Sequence, residues 1–138
     1  IEIKMLYFAY GSNLNHFQMK RRCKDSMFIK KIFIKNFSLT FRSKYRAADI
    51  ERKNNFKVPG ALYEISKSDE KKLDIYEDFP TLYKKYYFDY YGKRVMTYIM
   101  VQKGPFRFPT ERYLNIVKKG YRDCKLEMKY LTKALNFI

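Results

Sequence analysis

The feature that most constrains the fold is a short apolar strand followed at once by a glycine and by helix-starting residues. Residues 6–10 (Leu-Tyr-Phe-Ala-Tyr) carry no charge, which is typical of a buried strand. Gly11 allows a sharp turn, and Ser12 and Asn13 are good N-cap residues for a helix that begins near Leu14. Such a turn leaves backbone N–H groups free, so the segment predicts either a seat for a carboxylate or oxyanion, or a plain strand-to-helix turn.

The rest of the chain predicts an α+β fold whose strands dominate the middle of the sequence. Strands are expected at residues 28–41 (as one or two strands), at 58–65, and in a hairpin of 84–90 and 94–101 that turns at Gly92. Helices are expected at 66–77, from Pro109 to Gly120, and at 124–134. Residues 44–57 are polar and charged, and we expect them to form a loop. This order of elements favours a mixed, curled sheet in an α+β domain.

The length of 138 residues predicts one domain with a core that needs no disulfide or metal. We expect that domain to span residues 5–138, with residues 1–4 a vector-derived addition before the first methionine. Cys23 and Cys124 are far apart and are expected to be free thiols in a cytoplasmic protein. His16 is the one histidine, so no metal site is expected. The absence of a long apolar stretch and of a signal-peptide pattern predicts no membrane partner.

The formal net charge of +16 is the strongest argument for a nucleic-acid partner. The basic residues are dispersed, however, and their densest clusters are only residues 20–22 and 30–31. No recognised nucleic-acid motif accompanies them. We therefore interpret most of the charge as a solvated surface and expect no specific nucleic-acid partner. A basic binding protein without catalytic activity, with a nucleic acid or another polyanion as its partner, is the alternative.

Glu77 is the candidate general base. Leu73, Tyr76 and Pro80 surround it in the sequence, and Leu73 lies four positions back on the same helical face. A carboxylate on an apolar face is costly to bury as an anion, so its pKa is expected to rise toward neutrality. A carboxyl group with such a pKa can accept a proton and later return it. The alternative is a glutamate at a helix end that is exposed to solvent.

Several motifs, taken in order, resemble those of the γ-glutamylcyclotransferase family. They are residues 6–14, 58–65 (Val-Pro-Gly-Ala-Leu-Tyr-Glu-Ile), 73–77 (Leu-Asp-Ile-Tyr-Glu) with Pro80 and Tyr83, 97–99, 109–113 and 120–121. The resemblance extends from Met5 to about Leu135, and it implies a small mixed β-barrel flanked by helices.

The resemblance also implies a reaction, in which a γ-glutamyl amine or γ-glutamyl peptide becomes 5-oxoproline and a free amine. The substrate's α-amine attacks its own side-chain carbonyl, and Glu77, in the motif that carries the family's catalytic glutamate, moves the protons. This chemistry requires no cofactor and no metal, and its partner is a small γ-glutamyl molecule bound by a monomer or homodimer. A different acyl-group lyase or transferase on the same scaffold is a further alternative.

The same resemblance implies a set of substrate-binding residues: Tyr7, Tyr10, Gly11, Ser12, Asn13, Tyr83 and Tyr113. Tyr113 is favoured over Tyr83, although any one of the 14 tyrosines is more often a core residue than a ligand contact. Alternation along the first strand predicts that only one of its two faces points inward, so Tyr7 and Tyr10 are not both expected at the site. Asp78 departs from the family pattern, which has glycine there. It is expected to be strained if the position requires a positive φ, and its charge could raise the pKa of Glu77.

Overall fold

The structure, a computed structural model, describes residues 3–138. Its elements in chain order are β1 (Lys4–Ala9), a short 3-10 helix (Ser12–Leu14), α1 (His16–Arg22), β2 (Met27–Arg42), β3 (Ala47–Ser66), α2 (Lys67–Tyr76), β4 (Tyr83–Tyr90), β5 (Lys93–Met100), α3 (Glu111–Asp123) and α4 (Lys129–Asn136). Lys4 pairs with Ser66, so β1 begins one residue before the domain boundary expected from the sequence. Residues 1 and 2, which belong to the expected addition, lie outside the described residues.

β1 lies in the middle of a five-stranded sheet with the order β2-β3-β1-β5-β4. It runs antiparallel to β3 and parallel to β5, so both of its edges are paired. Phe8 is fully buried, and a Cβ added to Gly60 of β3 would lie 2.4 Å from the Phe8 ring. The absence of a side chain at Gly60 therefore leaves room for the Phe8 ring against the backbone of β3.

The expectation of a loop at residues 44–57 is wrong, because most of this segment belongs to β3. Residues 47–52 pair antiparallel with residues 37–42 of β2. The sequence does not indicate this strand, because the segment is polar and charged. Asp49 is fully buried, and its carboxylate binds Lys103 Nζ at 2.7 Å and accepts the N–H of Met100 at 2.8 Å. A buried carboxylate with these partners is compatible with a strand at the edge of the core.

A register shift divides the β2–β3 hairpin into two halves. Lys35 pairs with Lys57, whereas Phe37 pairs with Arg52, so β3 contains extra residues at this point. Asn36 and Asn55 flank the shift with positive φ angles of 63° and 68°. Asparagine tolerates the left-handed region better than most residues, which fits it for such a bulge.

The helices lie against the sheet, with limits that differ from those expected. The N-cap of α1 is Asn15, whose side chain accepts the N–H of Gln18, and not Ser12 or Asn13. Gly120 lies inside α3 and does not end it. A Cβ at this position would be 2.5 Å from the Cβ of Leu14, so there is no room for a side chain. This close approach packs α3 against the 3-10 helix. The last helix begins at Lys129, later than residue 124. Across residues 3–138 no helix combines the length and the apolar character that crossing a bilayer requires.

The α+β class is confirmed, but the closed barrel implied by the resemblance is not. Within the described part of the chain, the edge strands β2 and β4 are not hydrogen-bonded to each other. They meet only through side chains. The rings of Phe37 and Tyr86 are 5.5 Å apart, and Lys30 Nζ lies 5.4 Å from the Tyr90 ring. The sheet is therefore curled and open.

The end of α2 is a Schellman motif with an aspartate in the position that glycine usually occupies. Asp78 donates its N–H to the carbonyl of Ile75, and Phe79 donates to that of Asp74. Asp78 has a φ of 51°, in the left-handed region. The position therefore has the positive φ that was the condition for strain at Asp78, and the turn holds Glu77 as the C-cap of α2.

The positive φ at Asp78 predicts that glycine is more stable than alanine at this position, which is the reverse of their order inside a helix. We expect Asp78→Gly to be more stable than Asp78→Ala by about 1 kcal/mol, because alanine is disfavoured in the left-handed region. At Lys71, an exposed residue inside α2, the order should reverse, with Lys71→Ala more stable than Lys71→Gly by about 1 kcal/mol. Urea denaturation of the four variants measures both differences. The same order at both positions would contradict the account of this turn.

Candidate active site

A pocket of about 360 Å³ opens where β1 ends. The segments that meet around it are the loop after β1, the C-terminal end of α2, the starts of β3, β4 and α3, and the middle of β5. Its lining residues are Tyr7, Tyr10, Gly11, Ser12, Asn13, Tyr45, Ala47, Ala48, Tyr76, Glu77, Asp78, Leu82, Tyr83, Thr97, Tyr98 and Tyr113. The structure thus brings together all the residues that the sequence nominated, and their roles remain predictions.

The loop after β1 presents free backbone donors to this pocket. Among residues 3–138, the N–H groups of Gly11, Ser12 and Asn13 donate no hydrogen bond. The side chains hold the loop in place: Ser12 Oγ lies 3.0 Å from Tyr76 Oη, and Asn13 donates from Nδ2 to Tyr7 Oη at 3.0 Å. Free N–H groups on a fixed loop can bind a carboxylate or an oxyanion.

The neighbours of Gly11 leave little room for a side chain at this position. A Cβ at this position would lie 3.1 Å from the Cβ of Ala48 and 3.1 Å from Tyr113 Oη. A side chain would therefore displace one wall of the pocket, including the Tyr113 hydroxyl group.

Glu77 is half-buried and lines the pocket from the end of α2. Withdrawal from water raises the pKa of its carboxyl group to about 7, and the positive charge of Arg22 opposes that rise. The rise expected from the sequence therefore has burial as its cause, and the neighbouring Asp78, which is exposed, does not contribute to it. At neutral pH the Glu77 carboxyl group is close to half-protonated, so it can both accept and donate a proton.

Arg22 is a charged neighbour that the sequence did not reveal. It donates to Asn13 Oδ1 in the loop, and its guanidinium group lies 3.5 Å from the centre of the Tyr76 ring. It therefore links α1, the loop and the end of α2. The sequence predicts a solvated surface for residues 20–22, whereas the fold places Arg22 against two residues of the pocket lining, Asn13 and Tyr76.

A polar network fixes α2, and with it Glu77. Asp74 accepts a hydrogen bond from Tyr98 Oη at 2.6 Å and binds Lys85 Nζ at 3.1 Å. Lys85 also binds Glu70 at 2.9 Å. Asp74 lies in the same motif as Glu77, but sequence reasoning had no signal for its partners on β4 and β5.

The four tyrosines predicted to bind substrate form two pairs: in one pair the hydroxyl group donates a hydrogen bond to the protein, and in the other it only accepts one. Tyr10 donates to the carbonyl of Tyr98 at 2.6 Å, and Tyr83 donates to that of Ala48 at 2.7 Å. By contrast, Tyr113 accepts the Ala48 N–H at 3.2 Å, and Tyr7 accepts from Asn13. Within the described residues the protons of Tyr7 and Tyr113 have no protein acceptor, so these two hydroxyl groups can donate to a ligand.

Burial raises the pKa of all four phenols, which keeps them neutral hydrogen-bond donors at pH 7. The expectation that alternation would exclude either Tyr7 or Tyr10 is wrong. β1 ends at Ala9, so Tyr10 lies beyond the strand and its direction is not set by the pleat.

The chemistry available to the pocket is proton transfer and hydrogen bonding. Across the described residues, no group of three or more His, Cys, Asp and Glu side chains is arranged to hold a metal ion. Cys124 and His16 approach each other, with Sγ and Nε2 3.4 Å apart, but neither residue lines the pocket.

Comparison with known proteins gives a family match and several similar folds. A family model described as gamma-glutamyl cyclotransferase, AIG2-like, matches residues 7–120. A solved structure of an uncharacterized protein from Homo sapiens has 25% sequence identity and a TM-score of 0.82, covering 95% of this chain and 86% of that one. A structure named gamma-glutamyl cyclotransferase has 22% identity and a TM-score of 0.81, covering 96% of this chain and 86% of that one. YkqA from Bacillus subtilis has 21% identity and a TM-score of 0.78, covering 96% and 54%. No curated protein sequence matches the chain.

The raised pKa of Glu77 predicts a specific pH dependence of stability. The folded protein holds this proton up to about pH 7, whereas in the unfolded chain the carboxyl group has its ordinary pKa of 4.5 and releases the proton at lower pH. The free energy of unfolding should therefore decrease as the pH rises through this window. We expect Glu77→Gln to be more stable than the parent by about 1–2 kcal/mol at pH 8 and equal to it near pH 4.5.

Urea denaturation at both pH values measures this difference, and NMR titration of the carboxyl carbon gives the pKa directly. Glu111→Gln, an isosteric change at an exposed residue of α3, is the control and should match the parent at both pH values. A Glu77→Gln variant that tracks the parent across the range would contradict burial of this carboxyl group.

Proposed function

This chain belongs to the gamma-glutamyl cyclotransferase, AIG2-like family, and we propose that it converts a γ-glutamyl amine or γ-glutamyl peptide into 5-oxoproline and the free amine. The observation that carries the proposal is Glu77, a carboxyl group with a pKa of about 7 in a pocket that also contains free hydrogen-bond donors. This combination suits a reaction that needs one proton removed and one proton supplied.

The substrate brings its own nucleophile. The α-amine of a γ-glutamyl group can close a five-membered ring by attacking the side-chain carbonyl of the same group. The enzyme therefore needs only to hold a folded conformer and move protons. A pocket of about 360 Å³ is of the size that binds small molecules. We propose that the protein's partner is such a small molecule.

In the proposed reaction, the Glu77 carboxylate removes a proton from the α-ammonium group. The amine nitrogen then attacks the side-chain carbonyl carbon and forms the ring C–N bond, and the carbonyl oxygen becomes an oxyanion. Collapse of this intermediate breaks the original amide C–N bond. Glu77 returns its proton to the departing nitrogen. The ring nitrogen, which is positively charged after the attack, releases its second proton to water or to the departing amine, so the product is a neutral lactam and the carboxylate is restored for the next turnover.

The loop and two tyrosines would bind the charged groups of the substrate. The free N–H groups of residues 11–13 would hold either the α-carboxylate or the developing oxyanion. Tyr113 and Tyr7, whose hydroxyl protons lack a protein acceptor among the described residues, would donate to the other group. Tyr10 and Tyr83 would shape the pocket, since their protons are bound to backbone carbonyls.

Removal of the base tests the mechanism. Glu77→Gln preserves the shape of the side chain but cannot accept the proton, so turnover should fall by a factor of about 10²–10⁴. Binding of a γ-glutamyl compound should persist. Release of 5-oxoproline measures turnover, and Glu111→Gln is the isosteric control with parental activity. Near-parental turnover in Glu77→Gln would refute the role of Glu77.

A side chain at Gly11 tests the loop. Gly11→Val would push against Ala48 and Tyr113 and obstruct approach to the N–H groups, so affinity for a γ-glutamyl ligand should fall at least about tenfold. Calorimetric titration measures the affinity, and thermal unfolding establishes that the variant is folded. Unchanged affinity in a folded variant would mean that the loop connects β1 to the following helix but does not bind the substrate.

A further inference from the structure

A second cavity, of about 290 Å³, is lined by residues of β2, β3 and α4 and by Phe137. Part of its lining comes from the segment of β3 that contains the register shift, and another part comes from α4. Its lining residues are Ser38, Leu39, Thr40, Lys53, Asn55, Phe56, Lys57, Val58, Pro59, Tyr130, Lys133, Ala134 and Phe137. None of these residues lines the candidate active site.

The floor of this cavity is apolar and the rim is basic. Leu39, Val58 and Ala134 are buried core residues that form part of the lining, whereas the three lining lysines are exposed. An apolar body could therefore enter the cavity while a charged group remains at the rim.

Two of the rim lysines share one aromatic ring. Lys53 Nζ lies 4.3 Å from the centre of the Phe56 ring, and Lys133 Nζ lies 4.6 Å from the same centre. Each ammonium group is attracted to the ring, but the two positive charges repel each other. An anion between them would remove this repulsion.

No Asp or Glu of the described residues lies in the lining of this cavity. Within the same part of the chain, neither Lys53 nor Lys133 forms an ion pair. Thr40 of the lining contacts Glu51, but that carboxylate is already paired with Arg42. The positive charge at the rim is therefore uncompensated.

We propose that this cavity binds a small amphipathic organic anion, with a carboxylate between Lys53 and Lys133 and an aliphatic tail against Leu39, Val58 and Ala134. The proposal stands apart from the proposed catalytic function, because it uses none of the residues assigned to the reaction. The two halves of the cavity predict two separate dependences of affinity, one on tail length and one on head charge.

A ligand series separates these dependences on the parent protein. Calorimetric titration with butanoate, hexanoate and octanoate should show affinity rising by about fourfold for each buried CH₂ group. Octanol, which has the tail without the charge, should bind more weakly than octanoate, and octylamine more weakly still. Equal affinity for octanoate and octylamine, or no rise with tail length, would overturn the proposal.

Variants locate the site. Replacing both lysines, Lys53→Gln with Lys133→Gln, should weaken octanoate binding by about three- to tenfold, because two exposed charges are lost. The control, Lys24→Gln with Lys71→Gln, removes the same net charge at exposed residues away from the cavity and should leave the affinity unchanged. Gly11→Val should also leave it unchanged. If instead Gly11→Val weakens octanoate binding and the Lys53/Lys133 pair does not, the ligand occupies the other pocket and the proposal is wrong.

Discussion

The pairing of β1 on both edges is the constraint on which the candidate site depends. β3 and β5 pair with β1 on both sides, and β1 ends at Ala9, two residues before Gly11. The N–H groups beyond this point are released from the sheet, and the residues that carry them line the pocket. The same central position brings the end of α2 and the start of α3 to one place, since α2 follows β3 directly and α3 packs on the 3-10 helix.

The electrostatic character of the pocket follows from its burial. Phenols surround the Glu77 carboxyl group, and desolvation favours the uncharged form of both kinds of group. Glu77 is therefore poised near neutral pH while the tyrosines remain donors. The cost of holding that carboxyl group in place is met by interactions elsewhere on α2, where Asp74 and Glu70 are anchored by Lys85. The position of Glu77 and the pKa of its carboxyl group are thus set by different residues, so each can be altered separately.

Local signals in the sequence were enough to predict the family, the α+β class and the residues that meet at the pocket. Gly11 and Glu77 belong to short motifs whose meaning does not depend on distant residues. The rest depended on long-range contacts. The strand at residues 47–52 looked like a loop because Asp49 is charged, and its partner Lys103 lies far along the chain. Arg22 and Lys85 looked like surface residues for the same reason. The closed barrel was an inference from the resemblance, and hydrogen bonding between the sheet edges does not support it.

The most direct test of the proposed activity is to follow the nitrogen of the substrate. γ-Glutamyl compounds labelled with ¹⁵N in the α-amine, incubated with the parent protein, should give 5-oxoproline that carries the label in its ring, together with an unlabelled free amine. Release of labelled glutamate instead would indicate hydrolysis by water and contradict intramolecular attack. No product from any γ-glutamyl compound, with tight binding to an oligonucleotide at physiological salt, would favour the basic binding protein over the enzyme.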